Sequence, residues 1–347
     1  MIAKEELNIL WSLEQTAEKY EDRVAVSDVN QEMTWKGLVK KAQVIGAELS
    51  KKVQPGNPIP VLLEKSSETL AVMLGIVYAG CFYVPVNPMN PAERLRKIME
   101  TEVIISDEKG KEQLAVVGVG LEEKVIGPET LLPTTGTDLS EEQRSKLEQI
   151  QGQWKETDAL YGIFTSGSTG TPKAIVVSHG AVSRFVRHFT EIFEITSEDV
   201  IGNQAPFDFD VSVKDIYSSI MTGAQLVLIP KEYFSTPPRL LDYLCDKKVT
   251  NLTWAVSALT LVSALKGLNY RVPESVKRVM FSGEAMPAKQ LRIWQEKLPE
   301  AKFVNLYGPT EITCNCTYFP IERQYEDSEK IPAGKAFPGR RVILVDE

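Results

Sequence analysis

A chain of 347 residues exceeds the size at which one hydrophobic core keeps growing, so a single bundle or sandwich is excluded and two or more packed units are expected. Apolar residues make up 43%, charged residues 25% and aromatic residues 8%, which excludes a disordered or fibrous chain. A formal charge of −8 without a basic block excludes a long-range field for nucleic acid or an anionic membrane, and no run of about 18 uncharged apolar residues occurs, so a soluble, cytoplasmic protein with no nucleic acid partner and no membrane insertion is expected.

Helical and strand-like segments alternate along almost the whole chain, which predicts an α/β fold with mostly parallel sheets. Leu7, Leu10, Leu13, Ala17 and Tyr20 fall at three- and four-residue steps and give an amphipathic first helix. Thr34 caps a second helix, Ile59 to Leu63 reads as a buried strand, and Thr69 to Ala79 as a helix packed on it. Phe82 to Val86 is a strand, Asn90 with Pro91 caps the helix to Glu100, and Val103 to Ser106 is a further strand. Pro133 to Asp158, with a charged helix from Ser140 to Ile150, reads as a connector between two lobes. Beyond it, strands are predicted at Tyr161 to Thr165, Ala174 to Val177, Gln225 to Ile229, Asn251 to Trp254, Lys277 to Phe281 and Lys302 to Asn305. Cys81, Cys245, Cys314 and Cys316 lack the spacing of a zinc site or disulfide scaffold and read as small apolar residues, with Cys314 and Cys316 on one face of a strand.

The sharpest chemical signal is Thr165-Ser166-Gly167-Ser168-Thr169-Gly170-Thr171-Pro172-Lys173 between two strands. Two glycines allow backbone N–H groups to turn inward, hydroxyls add donors and Lys173 adds charge, a combination that wraps the polyphosphate of ATP. It is not a Walker loop, because Lys173 follows Pro172 and precedes Ala174. Four further segments occur in order: Met33-Thr34-Trp35, Ala79 to Val86, Phe209-Asp210-Val211-Ser212, and Asn305-Leu306-Tyr307-Gly308-Pro309-Thr310-Glu311.

With these the sequence resembles, along nearly its whole length, the adenylate-forming enzymes that include nonribosomal peptide synthetase adenylation domains, acyl-CoA synthetases and luciferases. The wording of Asn203 to Phe207, Phe281 to Glu284 and Asn305 to Glu311 looks most like D-alanyl carrier protein ligases, with other amino-acid-activating domains close behind. The resemblance implies ATP and Mg²⁺ as cofactors. It further implies an amino acid substrate, D-alanine or another small one, and a carrier protein whose phosphopantetheine thiol receives the activated acyl group.

Tyr307 presents an aromatic face for adenine, Thr310 a hydroxyl for the α-phosphate, and Glu311 a carboxylate for Mg²⁺. Gly283, Glu284, Asn305 and Gly308 join the nucleotide site by resemblance, and Thr310, Glu311 and Lys173 are the expected catalytic residues. Asp210 stands between Phe209 and Val211, and a carboxylate buried among apolar groups needs a cationic partner. A substrate α-ammonium is such a partner, as the resemblance also implies; the alternative is an N-cap for the helix from Val211 to Thr222. The side-chain pocket maps by resemblance onto Val211, Lys214, Thr253, Met280, Ser282, Leu306, Cys314 and Asn315. Lys214 either pairs with a substrate carboxylate or snorkels to solvent from a surface helix, and snorkelling is the expected state. His179 and His188 stand beside no nucleophile in triad-like order, so hydrolase chemistry is not supported.

The expected organisation is a first αβ subdomain over 1–157, a second over 158–311 with phosphate loop and pocket, and a β segment over 312–347 that begins a third, small barrel subdomain, the two lobes flanking a cleft. The family's ribose-binding aspartate, hinge and catalytic lysine on a small C-terminal domain have no counterpart, so the chain reads as an N-terminal core expected to bind amino acid and ATP weakly and to form adenylate slowly. Ala174 replaces the glycine usual after the loop lysine. An acyl-CoA-type ligase for a non-amino acid and a degenerate nucleotide-binding module are the competing readings.

Overall fold

The computed structural model describes residues 5–118, 120–132, 138–166, 172–343 and 345. The backbone gathers into two units, one of Met1–Val24 and Met33–Arg184, the other of Ala25–Glu32 and Phe185–Glu347. Each is an αβ unit built on a mostly parallel sheet, as the alternating pattern predicts.

In the first unit the sheet order among the described residues is Val125–Ile126, Ile104–Ser106, Pro58–Leu62, Phe82–Pro85, Ala159–Ser166, Pro172–Ser178. Neighbours run parallel except the last two, which form an antiparallel hairpin. Helix starts follow the sequence signals where a side-chain oxygen is available: Thr34 Oγ1 accepts from Gly37 N–H at 3.1 Å, and Ser140 with Gln143 forms a reciprocal capping box. The Asn90 cap is not formed; the N-cap is Pro91, without a side-chain bond, and the helix is Ala92–Ile98. Asn90 N–H instead bonds the Asn87 carbonyl, closing a turn one residue ahead of the helix. The Ser67–Tyr78 helix is buried at every position from Thr69 to Tyr78, which accounts for its nearly uninterrupted apolar sequence. His179 is buried with its Nδ1 accepting from Ile9 N–H at 3.3 Å, and burial pushes its pKa down to about 3, so it is a neutral packing residue against Trp154.

The sequence reading changes unit at 157/158, whereas the backbone does so after Arg184. Tyr161 pairs in parallel with Tyr83, and this bond keeps the whole hairpin on the first unit's sheet.

In the second unit the order is Lys335–Ala336, Thr317–Ile321, Lys302–Tyr307, Arg278–Ser282, Asn251–Ala255, Val200–Asn203, Gln225–Leu228, Val24–Ser27, Glu32–Thr34. From Lys302–Tyr307 through Val24–Ser27 all neighbours are parallel. The β segment expected to open a third subdomain is here paired antiparallel to Lys302–Tyr307, as an edge of this sheet. Cys314 and Cys316 do not lie on a strand, because the strand begins at Thr317 and Cys314 has φ 68° in the preceding turn.

The amino ends of three adjacent parallel strands are fastened by one buried ionic cluster. Asp199 accepts from Arg278 at 3.1 Å, from Thr250 Oγ1 at 2.9 Å and from Thr196 N–H at 2.9 Å, while Arg278 also donates to Asn251 Oδ1 at 2.9 Å. Burial acts to raise the Asp199 pKa, but the Thr196 N–H, Arg278, the Thr250 hydroxyl and Lys277 outweigh it and hold the group below the ordinary carboxylate range. A carboxylate depressed in the folded state stabilises it fully above the unfolded pKa and loses that contribution as pH falls through the folded one. Asp199→Asn should therefore lower unfolding free energy at pH 7 by about 3–5 kcal/mol, since it strands a buried guanidinium. Urea titration across pH 3–7 checks this, and the variant's loss should shrink towards the acid end.

Candidate functional site

In the second unit's sheet, Val200–Asn203 has Gln225–Leu228 on one side and Asn251–Ala255 on the other, so the strand order reverses direction there. Open parallel sheets leave a crevice at the carboxyl ends of strands at such a point, and ligands of this architecture bind in it. The segment leaving the carboxyl end of Val200–Asn203 leads through Asp210 into the Val211–Thr222 helix. The carboxyl ends of the two strands beyond Asn251–Ala255 supply Ser282 with Gly283, and Leu306 with Tyr307 and Gly308.

Asp210 occupies the N-cap position with helical dihedrals, φ −63° and ψ −18°, and its side chain makes no capping hydrogen bond. A capping side chain needs an extended backbone, so the N-cap alternative does not apply. Helix entry is secured instead by Ser212 Oγ and Ser212 N–H, both donating to the Phe209 carbonyl, at 2.7 and 3.0 Å. Asp210 is partly exposed rather than buried, as the sequence reading had it, and among the described residues its carboxylate forms no ion pair.

Lys214 does not snorkel. It is 1% exposed, and its Nζ donates to Asn315 Oδ1 at 2.8 Å. The helix it sits on is buried from Ser212 to Ile220, so no path to solvent lies within the reach of its stem. Asn315 belongs to a turn in which Thr313 (φ 60°) and Cys314 (φ 68°) are successive non-glycine residues in the left-handed region, a conformation costing of order 1–3 kcal/mol each that surrounding contacts must hold. Two such contacts are present: Cys314 Sγ donates to the Asp210 carbonyl at 3.3 Å, and Asn315 accepts from Lys214. The turn is thereby tied to the start of the helix at one point and one turn further along at another.

Thr253 and Met280 are register partners on adjacent strands, and Ser282 is the partner of Ala255. Thr253, Met280, Ser282, Leu306, Cys314 and Asn315 are all buried; of the nine substrate-site residues, only Asp210 and Val211 are partly exposed. Ser218, two turns after Asp210 on the same helical face, was missed by the sequence reading. Its Oγ is buried without a hydrogen-bond partner, and the i, i+4, i+8 spacing from Asp210 was the available signal.

Of the nucleotide-site candidates, Tyr307 ends its strand instead of following it and is 59% exposed, leaving a ring face open. Glu311 is exposed on the one-turn helix Thr310–Ile312 and forms no ion pair among the described residues. Thr310 is half-buried, Gly283 and Glu284 are exposed, and Asn305 Nδ2 donates to the Pro332 carbonyl at 2.8 Å. In the first unit, the hairpin pairs Thr165 with Lys173 and Ser166 with Pro172; Lys173 is exposed, and Gly167, Ser168, Thr169 and Gly170 lie outside the described residues.

The profile of the family described as AMP-binding enzyme matches residues 13–347. The chain belongs to that family. It is 31% identical over 341 residues to tyrocidine synthase 3 of Brevibacillus parabrevis, covering 96% of this chain and 5% of that protein. It is 31% identical over 335 residues to a D-alanine--D-alanyl carrier protein ligase of Bacillus velezensis, covering 93% of this chain and 63% of the ligase. The chain thus spans less than two thirds of either relative. The fold matches a crystal structure of the nonribosomal peptide synthetase FmoA3 in its alpha-methyl-L-serine-AMP bound form, with TM-score 0.85 and 24% identity over 98% of this chain and 37% of that one.

Two glycines of the site are required for different reasons. Gly283 has φ +98°, which side chains rarely adopt, and a Cβ at Gly308 would stand 2.5 Å from Asn315 Cα. Gly308→Ala should therefore displace the Asn315 turn and cost about 1–3 kcal/mol of stability in urea titration, the usual range for forced overpacking. An unchanged midpoint would show that the turn yields freely.

Proposed function

We propose that the chain uses ATP to convert an amino acid into aminoacyl-AMP and pyrophosphate, and that the acyl group then passes to the phosphopantetheine thiol of a carrier protein. The observation that carries this reading is Asp210: a partly exposed carboxylate at the sheet's switch point, without a cap bond or an ion pair among the described residues. An α-ammonium is the partner such a group lacks, and membership of the AMP-binding family supplies the adenylate chemistry.

With the ammonium on Asp210, the α-carboxylate is the reacting group. One of its oxygens attacks the α-phosphorus in line as the bond to pyrophosphate breaks, so no covalent enzyme intermediate and no proton abstraction are needed. In this reading Tyr307 stacks on adenine, with Gly283, Glu284, Asn305 and Gly308 around the nucleoside, and Thr310 donates to the α-phosphate. Thr165, Ser166, Gly167, Ser168, Thr169, Gly170 and Lys173 hold the triphosphate. Glu311 would hold Mg²⁺, whose charge offsets that of the phosphates. A single free carboxylate fits, because Mg²⁺ is taken up through one or two carboxylates plus phosphates and water and not by a protein cage.

The likeness to D-alanyl carrier protein ligases supports a small amino acid. Asp210→Ala should weaken amino acid binding about 30-fold or more, the usual consequence of removing one partner of a hydrogen-bonded charge pair, with ATP affinity unchanged. Calorimetry with amino acid and ATP separately reads both. An unaffected carboxylic substrate without an amine points to the acyl-CoA-type reading, and nucleotide binding with no acid substrate at all points to a module without turnover.

A further inference from the structure

Lys214 presents an unresolved electrostatic problem. Its ammonium carries three donors, yet it is 1% exposed and has one hydrogen bond, to the neutral amide oxygen of Asn315 at 2.8 Å. Among the described residues it forms no ion pair. Asp210, one turn earlier on the same helical face, does not reach it, and the adjacent Asp215 is engaged by Asn203 Nδ2 at 2.9 Å. A buried charge without a counter-charge is costly, and a protein retains one where a ligand supplies the opposite sign. One turn further on, Ser218 Oγ is likewise buried with no partner, a second unmet polar group on the same row.

We infer that the amino acid activated here carries a carboxylate in its side chain, with Lys214 as the specificity-determining residue. This rests on the assignment of the α-ammonium to Asp210 and deepens it. Asp210 and Lys214 then place opposite charges four residues, about 6 Å of helical rise, apart, and an acidic amino acid presents its α-ammonium and side-chain carboxylate as the matching pair. The partly exposed Asp210 and Val211 mark the outer end of the row and buried Lys214 the inner end, so the side-chain carboxylate lies deepest. Asn315 is a positioning residue, fixing the ammonium through the strained turn that carries it.

The test is calorimetric binding of both enantiomers of aspartate, glutamate, asparagine, glutamine, alanine and serine to the full chain, with Lys214→Met and Lys214→Gln beside it and circular dichroism to verify folding. An acidic amino acid should bind at least about tenfold more tightly than its own amide, the order of discrimination expected when an amide replaces the counter-charge. Both variants should erase that preference. The preference in the unsubstituted chain is decisive even if the variants do not fold. Tighter binding of alanine or serine than of either acid overturns this inference and leaves the amino-acid reading standing. Binding of ATP with none of the twelve amino acid forms overturns both.

Discussion

Removing the Lys214 ammonium from water, with one amide oxygen as its only hydrogen-bond partner among the described residues, is the constraint on which the site's architecture depends. The amide belongs to Asn315, and holding it there requires two consecutive left-handed residues, Thr313 and Cys314, in a turn that a side chain at position 308 would push away. The same turn bonds the Asp210 carbonyl through Cys314 Sγ. The helix start, the turn and the Lys214 ammonium are thus tied to one another as one unit.

That unit sits at the carboxyl end of a parallel sheet whose amino end is held by a different device. The Asp199–Arg278 cluster ties three strands where no ligand is expected, and the strand order reverses above it where one is. In the proposed reading the two ends divide the labour: compensated charge for rigidity below, uncompensated charge for recognition above. The contrast between Arg278, surrounded by acceptors, and Lys214, with a single one, is what distinguishes a structural ion from a receptive one.

Local signals in the sequence proved reliable where the deciding interaction was itself local. Thr34 and Ser140 cap their helices because the acceptor and the N–H it serves are three residues apart. The predicted strands lie within one or two residues of the observed ones, whereas Val24–Ser27, Glu32–Thr34, Val125–Ile126 and Val200–Asn203 carry no prediction. Apart from the Asn90 cap, which a turn closed on Asn87 displaces, the misreadings involve partners distant in the chain. The snorkelling expectation for Lys214 treats its helix as a surface helix, while the Asn315 that holds it lies far along the sequence. Cys314 and Cys316 alternate as strand residues do, yet the turn that ties Cys314 to Asp210 overrides the pattern. Burial of Asp210 was inferred from Phe209 and Val211, but Phe209 is 57% exposed, so apolar neighbours in sequence do not make an apolar environment. Asp210 itself and the Tyr307-to-Glu311 segment stood out by resemblance; their roles rest on chemistry at a site assembled from separated strand ends.

The central claim is that Asp210 receives a substrate's α-ammonium. It is tested most directly by calorimetric titration of the chain with aspartate and with succinate, which differs only in lacking that amine. The account predicts that succinate binds about 30-fold more weakly or not at all, the loss expected when a carboxylate is left facing no cation. Equal affinity for the two acids would contradict it.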